Sequence, residues 1–497
     1  MSGRMAAVAA AVVLLLAAGS AWANNLVVTN VVVSARDTNT AFVAFDLSWE
    51  NSWRDTNVNH DAAWVFFKVR QQGTTDWTNH VVLEGTGTNP AGYAVGTGTP
   101  IEMIVPTDKV GLFVRRSQQG AGNVSVAGVK AVWNIAASGM ASTSIVEMTA
   151  CAVEMVYVAE GSFEAGDGQS DQKQFTKTLI NTGDPTVAPS GSPLAGGYPS
   201  GGGSYPAAAP STTNWPNGYN AFYCMKHEIT QGQYTDFLNM LTRAQQATCC
   251  IATNLNYYMS TNAGGSATVQ YRNTVQLTTD PGSPNPRVYT TVTPDRACNY
   301  LSWADGCAFA DWAGLRPMTD LEFEKACRGP TAAVAGEYAW GTNTSTAISG
   351  LQGTDGSGQE YYTAGNLHVL DNGGPSGPVR AGIFATATSS RQQAGASYWG
   401  IMELSGNVWE RSVTIASAGG GFTGLHGDGN LDATGNANVT AWPGTGASGA
   451  GFRGGNWYDG ATCARASDRF SAAYVDSGSE HRYGWRGVRA APSGVGP

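Results

Sequence analysis

The sequence predicts an α+β protein in which an all-β N-terminal domain precedes a mixed C-terminal domain with little regular structure. First, residues 25–150 consist of short segments in which apolar and polar residues alternate, separated by Gly, Asn and Asp. Second, three later segments begin with the side-chain pattern that opens a helix. Third, 64 Gly and 15 Trp with only 13% charged residues indicate many turns and strands rather than long helices.

The N-terminus has the pattern of a secretory signal peptide. A basic start that ends at Arg4 is followed by an apolar run over residues 5–18 and by Ala21-Trp22-Ala23. This order is typical of a cleaved leader, and the run is short for a membrane span. We therefore expect residues 1–23 to be removed and the product to be secreted or held at the cell surface, periplasmic or extracellular, without a transmembrane segment.

Residues 24–148 are predicted to form a β-sandwich that acts as a spacer, docking or adhesion module. Period-two alternation between turn residues is typical of such domains. Strands are expected at residues 26–33, 41–49, 63–69, 111–115 and 129–133. Asp55, His60 and Asp61 are close in sequence, and we interpret them as part of a solvated loop rather than as a metal or acid–base site.

The C-terminal domain is predicted to span residues 149–493 and to carry a flexible insertion at residues 166–220. The insertion is rich in Gly, Pro, Ser and Ala, so it cannot bury enough apolar surface to offset the entropy of ordering it. We expect it to be a long exposed loop.

Three helices are expected in this domain because three capping boxes open them. The boxes pair Thr230 with Gln233, Ser302 with Asp305, and Thr319 with Glu322. The cap accounts for Glu322, and we expect Glu324 to face solvent, so neither is predicted to be catalytic.

Charge and cysteine content limit the partners and the redox setting. The net charge is −9 and no basic patch occurs, which argues against nucleic acid as a partner. Eight cysteines in an exported chain make disulfides plausible, but their pairing cannot be read from their number.

The segment Gly400-Ile-Met-Glu-Leu-Ser-Gly-Asn-Val-Trp-Glu410 contains two carboxylates seven residues apart around a Ser-Gly-Asn turn. A tight bend there would gather Glu403, Glu410 and carbonyl oxygens around one point, which suits a hard cation such as calcium. The alternative is that Asn407 and Glu410 cap a turn while Leu404 and Trp409 fill the core.

Four blocks in order resemble the formylglycine-generating enzyme (sulfatase-modifying factor) family, across roughly residues 153–490. The blocks are Gly314-Leu-Arg-Pro-Met-Thr-Asp-Leu-Glu-Phe-Glu-Lys-Ala-Cys-Arg-Gly329, Tyr398-Trp-Gly-Ile-Met-Glu-Leu-Ser-Gly-Asn-Val-Trp-Glu410, Phe452-Arg-Gly-Gly-Asn-Trp457 and Tyr483-Gly-Trp-Arg-Gly-Val-Arg489. The resemblance implies a C-type lectin-like fold of the formylglycine-generating-enzyme type for residues 149–493.

The resemblance also implies two structural calcium sites. In one loop it assigns ligand roles to Glu403, Glu410 and the carbonyls of Gly406 and Val408. In the other, Ala364-Gly-Asn-Leu367 resembles a calcium loop whose ligands would be Asn366, the carbonyl of Leu367, and an acid for which Asp371 is the candidate.

The family's oxygen chemistry uses copper held by two cysteines, and this chain departs from that pattern. Asp459 stands where the first cysteine would fall, and only Cys463 lies near the place of the second. A single thiol cannot form a two-thiolate site, so copper is not expected and Cys463 is only a weak catalytic candidate. The family fold would instead bring Cys463 near Cys327, which implies a structural disulfide between them.

Two functions remain open. The first is a non-catalytic extracellular binding or structural module for a protein or glycan. Its predicted ligand-binding surface consists of Asn456, Trp457, Tyr458, Asp459, Arg465 and Tyr474, whose residue types suit adaptable recognition. The alternative is an oxidoreductase of the formylglycine-generating type that acts on a protein cysteine, as in sulfatase maturation. It would require further cysteines to assemble near Cys463.

Overall fold

The computed structural model describes residues 25–55, 58–77, 79–169, 173–185, 210–416 and 418–496. The predicted signal peptide at residues 1–23 lies outside this part of the chain, as do residues 170–172 and 186–209 of the predicted insertion. The described residues are mostly sheet with few helices. In these ranges no helix has both the length and the apolar character needed to cross a bilayer.

Among the described residues the strands come first, and the α-helices occur only among the later strands. The first strands are β1 (Val27–Ala35), β2 (Thr40–Arg54), β3 (Asp61–Gln71), β4 (Asn79–His80), β5 (Gly87–Thr88), β6 (Thr97–Gly98), β7 (Ile101–Val105), β8 (Leu112–Arg116), β9 (Gly120–Asn134) and β10 (Val146–Val158). The later strands are β11 (Phe163–Ala165), β12 (Thr178–Ile180), β13 (Phe222–Met225), β14 (Gln276–Thr279), β15 (Val288–Thr290), β16 (Arg316–Thr319), β17 (Ser349–Gln352), β18 (Tyr361–Ala364), β19 (Glu410–Val413), β20 (Ala450–Arg453) and β21 (Gly487–Ala490). The helices are α1 (Gln231–Asn239), α2 (Arg243–Cys249), α3 (Trp303–Trp312), α4 (Asp320–Arg328) and α5 (Arg391–Ala394).

Two sheets enclose an apolar core at the N-terminal end. The smaller sheet has the order β1-β2-β9-β6, and the larger runs β20-β19-β16-β21-β13-β10-β3-β8-β7-β5 with β4 paired to β3. Alternate residues of β2, such as Phe45 and Trp49, pack against alternate residues of β3, such as Val65 and Phe67. The period-two pattern of these strands therefore corresponds to one face buried between the sheets.

Strand β10 joins the N-terminal strands to the rest of the chain. It pairs with β3 from Val146 to Val156 and with β13 from Met155 to Val158. The predicted boundary between residues 148 and 149 thus falls inside a strand. One sheet extends through both predicted domains, because a strand of 13 residues is long enough to be shared.

The three predicted helices form, and each begins with its capping box. Thr230, Ser302 and Thr319 are the N-caps of α1, α3 and α4, and each box is closed in both directions. Helix α2 has a capping box at Thr242 that sequence reasoning missed.

Three predictions of exposure are wrong for the residues that the structure describes. Phe175, Ile180 and Trp215 are buried in the main core, so the described parts of the insertion are not an exposed loop. Asp61 is fully buried rather than solvated, because Trp49 Nε1 and Ser52 Oγ both donate to its carboxylate at 2.8 Å.

His60 is buried as well, where it contacts the hydroxyl of Tyr223 at 2.8 Å. Glu324 does not face solvent either. It is fully buried and paired with Arg453 at 2.9 Å, which sequence spacing alone did not reveal.

Candidate functional site

The segment from Gly400 to Glu410 forms a tight turn that leads into β19. Glu403 and Asn407 adopt positive φ angles of 54° and 65°, a conformation that costs non-Gly residues about 1–3 kcal/mol. Asn407 is held by its own amide, which donates to Glu228 at 2.5 Å and accepts from the backbone N–H of Val379 at 2.9 Å. Hydrogen bonds from two other segments therefore fix this turn.

Three buried carboxylates lie behind the turn, those of Glu228, Glu403 and Glu410. Oε1 of Glu403 accepts a hydrogen bond from the backbone N–H of Gly382 at 2.6 Å, and its Oε2 lies 3.3 Å from Nδ1 of His227. Oε1 of Glu410 accepts from Nε of Arg486 at 2.6 Å. In the part of the chain that the structure describes, the buried Oε2 of Glu410 has no hydrogen-bond partner.

Burial and mutual repulsion perturb these groups. Burial raises the pKa of Glu410 to about 7, although Arg486 opposes the rise. Burial and the charge of Glu410 raise the pKa of Glu228 well above its usual range. One guanidinium therefore faces three carboxylates, and the cluster carries excess negative charge whenever all three are ionised.

The other predicted calcium loop is filled by protein hydrogen bonds. Oδ1 of Asn366 accepts from the backbone N–H of Thr346 at 2.8 Å, and Nδ2 of Asn372 donates to the carbonyl of Leu367 at 2.6 Å. Asp371 is exposed and takes no part in these two hydrogen bonds. These contacts bring Asn366 and Leu367 into one loop but do not bring Asp371 to them.

The predicted recognition segment divides into a buried support and an accessible surface. Asn456 is fully buried and Trp457 is 4% exposed, so their side chains cannot be presented to a ligand. Tyr458 and Tyr474 are 46% and 53% exposed. Asp459 and Arg465 are half-buried beside them. We call Tyr458, Asp459, Arg465 and Tyr474 the recognition surface.

Asp459 is the best-anchored residue of this surface. Its Oδ2 accepts from Nε1 of Trp409 at 2.9 Å and from Nδ2 of Asn456 at 2.6 Å, and Arg482 lies 3.4 Å from Oδ1. Trp409 belongs to the turn that holds Glu410. The recognition surface and the carboxylate cluster are therefore joined through one tryptophan.

A family model described as the sulfatase-modifying factor enzyme 1-like domain matches residues 143–491, which is more than half of the chain. The chain belongs to this family.

The sequence identities to individual known proteins are low. The chain is 27% identical over 133 residues to the hercynine oxygenase of Mycolicibacterium thermoresistibile. The aligned residues make up 27% of this chain and 24% of that protein. The match thus spans about a quarter of the relative's length. Among solved structures, Treponema denticola variable protein 1 aligns with a TM-score of 0.33 at 11% identity, over 69% of this chain and 96% of that one.

The cysteines of this family member are separate thiols. Cys327 and Cys463 are both free, so the predicted disulfide is not formed. The physical reason is that they pack in different clusters, Cys327 with Phe323 and Leu404, and Cys463 against Trp409. Burial raises the pKa of Cys463 to about 11, which disfavours the thiolate that copper requires.

The loop that contains Glu403 and Glu410 fits a cation better than the loop that contains Asn366 and Leu367. The unpartnered Oε2 of Glu410 is a vacant acceptor, and the backbone of Gly406 and Val408 lies in the same turn. Both oxygens of Glu403, by contrast, already contact protein groups. Within the described residues no three His, Cys, Asp or Glu side chains gather as a ligand set, so a cation here would depend on carbonyl oxygens.

Sequence reasoning missed three residues of this family site. The sequence does not single out Glu228 or Arg486, and it favours a strand-end or structural role for His227, because no second histidine lies within ten residues. The available signal was weak: His227 and Glu228 come shortly after the end of β13 at Met225, and Arg486 lies in the closing block that resembles the family. Only the fold brings the ends of these strands to the turn.

Proposed function

We propose that this member of the sulfatase-modifying factor family is an exported, non-catalytic binding module whose recognition surface contacts a protein partner. The exposed aromatic rings carry this proposal. Tyr458 and Tyr474 are accompanied by Phe470 and Val475, which are 41% and 55% exposed. Large exposed apolar groups in one segment are a mark of interaction sites, and tyrosine is enriched in them.

The support beneath these rings favours binding, because a rigid surface loses little entropy when a partner docks. Trp457 packs against Ala297 and Val408, and its Nε1 donates to the carbonyl of His481 at 3.1 Å. The ring of Tyr458 meets His481 edge-on with centroids 5.3 Å apart. The surface therefore rests on buried aromatic packing rather than on a free loop.

The thiol chemistry favours binding over oxidation. Burial raises the pKa of Cys327 well above its usual range, as it does for Cys463. An activated cysteine would need a lowered pKa and a second thiolate beside it. The residue at the position of the family's first cysteine is Asp459, whose carboxylate has three protein partners.

The proposal includes a calcium-stabilised, C-type lectin-like body and an N-terminal β-sandwich that serves as a spacer or docking module. Calcium would be held by Oε2 of Glu410 with the carbonyls of Gly406 and Val408, and it would balance the excess charge of the carboxylates. Its contribution would be structural, because the ion would brace the turn beneath Trp409.

Two measurements test the proposal. In the first, the reduced protein is titrated with Cu(I) against a chromogenic chelator. We expect no tight stoichiometric binding, and one equivalent bound tightly would instead support the oxidoreductase.

In the second, immobilised protein is exposed to the secreted and surface fraction of the producing cells. A retained protein should be lost by Tyr458→Ala and Tyr474→Ala but kept by Tyr361→Ala, an exposed tyrosine in a different strand. Equal retention by all three variants would contradict the proposed surface.

A further inference from the structure

A cleft of about 1000 Å³ lies between the N-terminal strands and the loop that precedes the carboxylate turn. Trp53 and Asn59 form one wall, and residues 385–400 supply most of the other. Asn59 Nδ2 donates to the carbonyl of Trp399 at 2.5 Å, and a Cβ on Gly400 would lie 3.1 Å from the Trp53 ring. The walls are therefore fixed together. No residue of the recognition surface is among the described residues that line this cleft.

His227 lines the cleft and carries a buried acceptor that no group among the described residues satisfies. The side chain is 8% exposed, and its Nδ1 lies 3.3 Å from a carboxylate oxygen of Glu403. A carboxylate accepts hydrogen bonds, so Nδ1 carries the proton and Nε2 is left as an acceptor. Among the described residues Nε2 has no hydrogen-bond partner, and Oε2 of Glu154 is 4.0 Å away.

Asp295 presents a second acceptor of the same kind. Its Oδ1 is buried and has no hydrogen-bond partner in the described ranges, and Asp295 lines the same cleft as His227. A buried acceptor without a donor loses the hydrogen bonds that it would make with water. Both residues therefore favour a bound molecule that brings O–H or N–H donors into the cleft.

The remaining lining is aromatic and polar without a dominant charge. Nζ of Lys226 lies 4.9 Å from the centroid of the Trp53 ring and is paired with Glu154 at 2.7 Å. Tyr361 is 39% exposed on the lining. The wall at residues 385–390 carries only Ala, Thr and Ser side chains. Such a surface suits a neutral ligand with many hydroxyl groups.

We propose that this cleft binds a neutral saccharide. Sugar hydroxyls would donate to Nε2 of His227 and Oδ1 of Asp295, and the apolar face of a pyranose ring would pack against Trp53 or Tyr361. A peptide fits this cleft less well, because peptides are held by side-chain pockets or by a free strand edge. The wall of Ala, Thr and Ser residues contains no strand.

The test uses the full-length protein and four disaccharides, cellobiose, maltose, lactose and chitobiose, each measured by saturation-transfer NMR and by calorimetry. We expect saturable binding of at least one. Its fully O-methylated form should bind at least about tenfold more weakly, because it has the same ring faces but no O–H donors. This comparison needs no variant and does not depend on how well a variant folds.

Three variants locate the site. His227→Phe, Asp295→Ala and Tyr361→Ala should each weaken binding of the disaccharide by about tenfold, since each removes one acceptor or one ring face. Tyr458→Ala, on the recognition surface, should leave it unchanged. If the proposed protein binding fails, Tyr458→Ala has no protein partner to lose, but the effects of the three cleft variants on disaccharide binding are unchanged. The two proposals therefore fail separately.

Three outcomes would overturn the saccharide proposal. They are the absence of saturable binding by all four disaccharides, equal binding of the methylated sugar, and unaltered binding by the three cleft variants. Saturation of the cleft by trialanine with no response to any sugar would assign it to peptides instead.

Discussion

Replacing Arg486 by methionine should destabilise the protein more than any change on its surface. Arg486 is fully buried and donates to Glu410 at 2.6 Å and to the carbonyls of Met225 and Met402 at 2.8 and 2.7 Å. Methionine fills similar volume but leaves Glu410 and the neighbouring Glu228 without a counter-charge. Removing one partner of a buried ion pair costs about 3–5 kcal/mol. The substitution also leaves two buried carbonyls without a donor, so we expect a loss at the upper end of this range.

The matched control is Arg482→Met. Arg482 pairs with Asp459 and Glu480, but its side chain is 28% exposed. Exposed pairs contribute about 0–1 kcal/mol, so this variant should lose at most that much. Guanidinium unfolding of both variants in excess EDTA, followed by far-ultraviolet circular dichroism, gives the two free energies under conditions in which no divalent cation contributes.

A double variant separates charge from packing. Arg486→Met with Glu410→Gln removes both charges of the pair and should recover at least about 1 kcal/mol relative to Arg486→Met alone, because no unpaired carboxylate of that pair remains. If Arg486→Met costs less than about 1 kcal/mol, or if the double variant is less stable than the single one, then the carboxylate cluster is not held by this guanidinium and the reasoning fails.

Three further predictions concern charge, metal and thiols. Burial lowers the pKa of Lys68 to about 7 from its usual value of 10.5. Between these two pH values the unfolded chain binds more protons than the folded protein, so the free energy of unfolding should rise by up to about 1.4 kcal/mol per pH unit. Lys68→Met should lose this rise in stability between pH 7 and 8.5, which thermal unfolding at both pH values measures. An identical rise in the variant would assign the pH dependence to another group. Calcium should raise the melting temperature of EDTA-treated wild-type protein but not of Glu410→Gln, and an equal increase in both would exclude Glu410 as a ligand. Mass spectrometry of unreduced, alkylated protein should find Cys327 and Cys463 in separate peptides, since they pack in different clusters, and a linked pair would contradict the structure.

The helices and early strands could be predicted because their signals are local. The capping box at Thr230 is closed by Gln233 three residues later, and the alternation in β2 lies within one strand. Both patterns depend on neighbours in sequence, which the chain itself displays. The family blocks were equally readable, and the match over residues 143–491 confirms them.

The interior charges could not be predicted because their partners are distant. Arg453 and Glu324 are 129 residues apart and both are fully buried. The sequence predicts an exposed Glu324 because the residues near it in sequence give no information about Arg453. Asp61 is a different case, because its donor Trp49 is only 12 residues away in sequence but lies in β2, which belongs to the other sheet. Burial of a charge is decided by what the fold brings beside it.

The contacts of Asp459 link the Glu410 turn to the proposed recognition surface. The carboxylate of Asp459 accepts from Trp409 and Asn456 and faces Arg482. A thiol in its place would be a weak acceptor and could not hold the indole, the amide and the guanidinium together. Because Trp409 belongs to the Glu410 turn and Asn456 directly precedes Trp457, the carboxylate ties that turn to the aromatic support of Tyr458. In this chain the contacts of Asp459 are therefore those of a structural anchor.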